Sequence, residues 1–225
     1  MSRRIVPLAP EHLARAGPPC RDCVAWEASP AERRRLDGAE SGCARLKADW
    51  VRAVRDEWGT CGFVVLHDED VVGHVLYAPA ALVPGATRFA TSPASTDAVL
   101  LTSLRVLTAH RGHGLGRVLV QHVARDLVRR GGYRALEAFA SAEGSHDDQG
   151  CLVPVDVLLR AGFTVQRAHP RTPRLRLDLR STVRWRTGLE AALGRLRAGA
   201  RPAPAARRRP GPARSSRGWS AGLRR

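Results

Sequence analysis

The chain has 225 residues, 44% hydrophobic and 26% charged, a composition that fits one well-buried globular domain with some length to spare. Its net charge of +16 is uneven, because twelve arginines between Thr182 and Arg225 face the single acid Glu190. No apolar run approaches membrane-spanning length and "MSRRIVPLAPEHL" has no uninterrupted hydrophobic core, so neither a spanning helix nor a secretory signal is indicated and a cytoplasmic location is expected.

"IVPLAP" reads as a first strand, followed by a Pro/Gly-bounded patch, "AGPPCRDCVAWEASP", whose middle is expected to be extended. From Pro30 to Trp58 the composition turns helical, with Gly38 and Gly42 dividing a shorter from a longer helix. "CGFVVLHDED" and "VVGHVLYAPA" form a predicted antiparallel hairpin turned at Asp68 to Asp70. "AVLLTSLRVL" is too densely apolar for a surface strand, which makes it central. Leu115, Val118, Leu119, Val123, Leu127 and Val128 recur at helical spacing up to Gly131-Gly132. "ALEAFA" resumes strand character, "VPVDVLLRAGF" reads as a short helix, and "FTVQRAH" and "RLRLDLR" as two final strands.

A helix between two strands implies a parallel pair with a right-handed crossover inside an otherwise antiparallel sheet. The fold class is therefore mixed α/β (α+β), with a mostly antiparallel central sheet and helices on both faces. The domain is expected to span residues 1–181, followed by an amphipathic helix over 182–197 and a disordered Arg/Pro/Ala-rich tail over 198–225.

The densest chemical signal is "RGHGLG", residues 111–116, between a strand and a helix. Glycines there admit an anion to bare backbone amides at the positive end of a helix dipole. A P-loop is excluded because Arg117 and Val118 follow Gly116 where Lys and a hydroxyl are required. The dinucleotide fingerprint is excluded because its last glycine would fall on Arg117 or Leu119. What remains is Arg/Gln-x-x-Gly-x-Gly/Ala, at Arg111, Gly114 and Gly116.

With Val106 five residues before Arg111 and "LLRAGF" closing at Gly162 and Phe163, this pattern resembles the GNAT superfamily of N-acetyltransferases, although Thr108 replaces the usual proline. "CRDCVAWE", "VLYAPA" and "LGRVLVQ" resemble an actinobacterial branch of it. The resemblance implies a GNAT-like sheet splayed at its parallel pair, acetyl-CoA as cosubstrate, and direct attack by an amine on the thioester. It implies the backbone of Leu104, Arg105 and Val106 for the pantetheine, and Arg111, Gly112, His113, Gly114, Leu115, Gly116 and Arg117 for the diphosphate. Relatives often place a tyrosine acid four residues before the Gly of Gly-Phe; here that position is Leu158. Cys151 and Asp156 are substitutes to test, with a helix-start role the plainer reading of Asp156, and Glu137 is the strand carboxylate expected to border the cleft as base. Trp26 and Glu27 are expected on the acceptor side, where Glu27 suits a cationic amine.

Cys20 and Cys23 have the spacing of half a zinc site, but no second close pair completes it, so no metal is expected. The partners expected are a small-molecule or peptide amine acceptor, weak nucleic-acid contact through the basic tail, no membrane, and a homodimer as an allowed assembly. Two other classes stay open: a non-catalytic CoA-binding module, and a redox or metal protein built on the cysteine pair.

Overall fold

The computed structural model describes residues 3–16, 20–36, 40–142 and 152–180. Cys151, the expected helix over 182–197 and the basic tail lie outside the described residues. The elements in chain order are β1 (Arg3–Pro7), α1 (Pro10–Arg15), α2 (Pro30–Leu36), α3 (Glu40–Trp58), β2 (Gly62–His67), β3 (Asp70–Pro79), β4 (Ala98–Val106), α4 (Leu115–Arg130), β5 (Ala135–Ser141), β6 (Val153–Pro154), α5 (Val155–Arg160), β7 (Thr164–Arg167) and β8 (Arg174–Asp178). The sheet runs β1-β2-β3-β4-β5-β8-β7, and β6 pairs with the far end of β5. Every pairing along this path is antiparallel except β4 with β5.

Helices cover both faces. On one, Leu13 of α1 and Val51 and Val54 of α3 pack with Leu66, Leu76 and Leu100 of the sheet. On the other, Leu119, Val123 and Leu127 of α4 and Leu158 of α5 pack with Tyr77, Val99 and Leu101. Each such side chain contributes about 1.5–3 kcal/mol by leaving water, which is why the 3.6-residue pattern of α4 was legible. The segment "CRDCVAW" forms turns rather than the expected extended stretch, α1 precedes it, and Gly42 lies inside α3 rather than dividing two helices. Ser29 and Glu32 close a reciprocal capping box that starts α2.

The C-terminal end of α4 is tied to the end of α3. Arg130 donates from Nε to Asp126 (2.6 Å), from Nη1 to the Trp58 carbonyl and from Nη2 to the Thr60 carbonyl, both at 2.7 Å. The Tyr77 hydroxyl donates to the same Asp126 at 2.6 Å, and burial together with that carboxylate pushes its pKa upward.

A second network fastens β4, β5 and β8 where the parallel pair is closed. Glu137 of β5 is fully buried and accepts from the Ser95 amide (3.0 Å) and hydroxyl (2.7 Å) and from Arg176 Nη1 (3.0 Å). Arg174 Nε lies 3.4 Å from its other oxygen, and Arg176 also grips Asp97 through two bonds of 3.0 and 2.8 Å. A buried carboxylate survives because guanidinium groups and a hydroxyl replace its lost water. Glu137→Gln leaves those cations short of their counter-charge; we expect a loss of about 3–5 kcal/mol in urea unfolding. Arg176 holds the Asp97 pKa below its ordinary value, chiefly through their hydrogen bonds. The resulting stability is present above the unfolded pKa and is lost as pH falls through the lowered folded one. Asp97→Asn should therefore flatten the acid limb of a Tm against pH profile.

Candidate active site

β4 and β5 pair only over Ala98 to Leu100 and Ala135 to Glu137, and then part. Beyond that point β5 takes β6 as its neighbour, while β4 keeps β3 on its far side. From Leu101 to Val106 the edge of β4 turned towards β5 has no strand partner among the described residues. A bulge helps to open it: Tyr77 faces Leu101 and Leu76 faces Ser103, so Thr102 is an extra residue. The bulge resets the alternation of side chains, which is why Leu101 and Leu104, three apart, both reach the α4 side of the sheet. Ser103 and Arg105 are consequently turned to the opposite side.

The open edge leads into the glycine loop. A 3-10 turn, Thr108–His110, precedes Arg111, whose Nε donates back to the Val106 carbonyl at 3.0 Å and fixes the loop on the strand end. Gly112 and Gly114 have φ of 80° and 73°, the left-handed region, and a Cβ on either would meet nothing within 4 Å. A Cβ on Gly116 would touch only Leu104 Cδ2, at 3.9 Å. Gly114 is the residue before the first turn of α4, and no side chain caps that turn. The first helical bond comes from Val118 to Gly114, which leaves the amides of Leu115 and Gly116 without helical partners. The 16-residue helix adds the positive end of its dipole. His113 is exposed, with Nδ1 held 2.8 Å from the Arg111 carbonyl. An open, uncapped, positively polarised turn of this kind suits a diphosphate, and the unpaired strand edge beside it suits the amides of an extended chain.

The structure thus places the ten expected donor-site residues, Leu104 to Val106 and Arg111 to Arg117, along one arc from the strand opening to the helix start. The expected acceptor and catalytic residues among those described lie away from this arc. Glu137 has its oxygens engaged by Ser95, Arg174 and Arg176, which makes it an anchor of the sheet rather than a base facing the opening. Trp26 is buried against Phe89 (5.1 Å between centroids) and Phe139 (6.2 Å), and Glu27 is buried in a 2.8 Å ion pair with Lys47. Both side chains are buried, and the Glu27 charge is met by Lys47 rather than left for a cationic amine. Leu158 is sealed in the α4-side core. Among the described residues no group of three or more His, Cys, Asp and Glu side chains is placed to hold a metal ion. No described helix is long and apolar enough to cross a membrane.

Neither His74 nor Ser103 is among the site residues expected from the sequence. His74 is buried on β3 with Nε2 3.2 Å from Ser103 Oγ, and this pair lies on the sheet face away from α4, beside the opened part of β4. Counting by twos along "AVLLTSLRVL" could not locate Ser103, because the extra residue at Thr102 shifts the count.

Residues 24–147, more than half of the chain, match the model of the acetyltransferase (GNAT) family. No curated protein matches the sequence. Among solved structures, the PaiA N-acetyltransferase from Thermoplasma acidophilum, in complex with coenzyme A, is similar at 12% identity and a TM-score of 0.52, over 79% of this chain and 99% of that one. The loading GNATL domain of CurA from Lyngbya majuscula is similar at 11% identity and a TM-score of 0.50, over 80% of this chain and 100% of that one. With the opened parallel pair and the glycine turn in place, the family match is decisive: the chain belongs to the acetyltransferase (GNAT) family.

Proposed function

We propose that the protein transfers an acetyl group from acetyl-CoA to a primary amine. The observation that carries this reading is the continuity between the unpaired edge of β4 and the uncapped glycine turn, where a Cβ would meet open space at both Gly112 and Gly114. The loop amides and the α4 dipole would hold the diphosphate. The backbone of Leu104 to Val106 would pair with the pantetheine. The coenzyme A bound to the Thermoplasma neighbour supports the choice of donor.

The chemistry asked of the site is small. The amine nitrogen attacks the thioester carbonyl carbon, the C–S bond breaks with its electron pair on sulfur, and the amine's proton must be removed while the thiolate gains one. A strand N–H beside the bulge is suited to the developing oxyanion. His74, linked to Ser103, is the imidazole placed to take the amine's proton. Asp156 lies on the exposed side of α5, paired with Arg160, which leaves it a helix-start role.

A second reading is favoured by Leu158, which stands where relatives often carry a proton-donating tyrosine: a module that binds CoA without turning it over. Binding and turnover separate the two. Saturating acetyl-CoA at a hundred times Kd should stabilise the fold by about 2.7 kcal/mol, roughly 5–10 °C in Tm, and ATP at the same concentration should not. Gly116→Glu should abolish that shift without weakening the apo fold, because a carboxylate in the first turn suits the helix but repels the diphosphate. A Gly116→Glu protein still protected like the parent would overturn the loop assignment. His74→Gln should keep the CoA shift and lower kcat by roughly 10²–10⁴-fold, read as thiol release with an amine panel. Thiol release that never exceeds the protein-free rate, with the shift intact, would favour the non-catalytic module.

A further inference from the structure

The sheet face turned away from α4 carries a small recess with a cation in its wall and no matching anion among the described residues. Its walls are Ala16 at the end of α1, Val71, Gly73 and His74 of β3, and Arg105 and Leu107 at the end of β4. Arg105 reaches this face because the bulge commits Leu104 and Val106 to the α4 side. Its Nη1 donates to the Cys20 sulfur at 3.7 Å, while its Nε is shielded from solvent and has no hydrogen-bond partner among the described residues.

The acids of the neighbouring segment are matched elsewhere. Asp22 pairs with Arg21 at 3.1 Å and Glu27 with Lys47. A guanidinium N–H taken out of water with no acceptor is costly to maintain, and the planar partner that satisfies it best is a carboxylate. His74 and Ser103 stand beside it, so a group bound to Arg105 would be next to the imidazole proposed to handle the amine's proton. A polycationic acceptor entering here would meet Arg105 as a like charge.

We propose that Arg105 binds a carboxylate on the acceptor, so that the substrate is a small amino carboxylate, such as an amino acid, rather than a polyamine or an aminoglycoside. This rests on the donor reading above, since the recess becomes an acceptor approach only if the thioester lies in the β4–β5 opening. It replaces the expectation that Glu27 receives a cationic amine.

The test uses product mimics and needs no turnover. The full-length protein, with and without saturating CoA, is melted against a panel of N-acetyl-L-amino acids and the matching N-acetyl-L-amino acid amides. We expect at least one free acid to raise Tm and to bind roughly tenfold or more tightly than its amide. Arg105→Gln should erase that preference and Arg105→Lys should restore part of it, with a cooperative ligand-free melt near the parent's Tm reporting that each variant is folded. Equal protection by acid and amide throughout the panel, or a preference that survives in Arg105→Gln, would overturn the proposal. A protein that discriminates acid from amide but shows no CoA shift would instead sink the donor reading and leave the carboxylate site standing. Where turnover is measurable, the loss in Arg105→Gln should fall mainly on KM for the free acid.

Discussion

Two neighbouring strands that are tied at one end and separate at the other set the terms for the rest of this fold. The tie is chemical as well as geometric. Glu137, Arg174, Arg176, Asp97 and Ser95 form a charge-balanced knot across β4, β5 and β8 at the closed end. Past it, β6 and β8 pair with β5, and no strand among the described residues pairs with the facing edge of β4, where Arg111 meets the Val106 carbonyl. Leaving backbone donors and acceptors unpaired inside a fold is unfavourable unless a ligand or water meets them. The knot concentrates that cost where extended amides can bind.

The bulge at Thr102 gives the opening its two sides. Without the extra residue, Leu101 and Leu104 would lie on opposite faces and the α4 core would lose one of them. With it, the apolar side chains stay under α4, and Ser103 and Arg105 emerge beneath α1 and the Cys20 turn. A single inserted residue therefore separates the side proposed to hold a diphosphate from the side that carries an imidazole and a guanidinium.

Much of this was readable beforehand, and the unreadable parts have definite physical causes. The hairpin, the parallel pair and the glycine turn depend on local signals: alternation, a helix between strands, and residues able to adopt positive φ. The bulge was hidden because an unbroken apolar run carries no phase. Glu137 looked like a base because a strand carboxylate has no visible partners in sequence, and its arginines come from β8, 37 and 39 residues later. Trp26 and Glu27 looked like pocket residues for the same reason; Phe89, Phe139 and Lys47, distant in the chain, cover them. α1, only six residues long, is too short for a period to register.

Lys47 is the chain's single lysine, and it is sealed against Glu27 with a further bond to the Cys23 carbonyl. An enzyme handling activated acyl thioesters is exposed to scrambling by its own donor, since any accessible lysine can be acylated adventitiously. Here the fold offers no such ε-amine, so acylation of Lys47 by acyl-CoA or by succinimidyl esters would register unfolding rather than wear on the native protein.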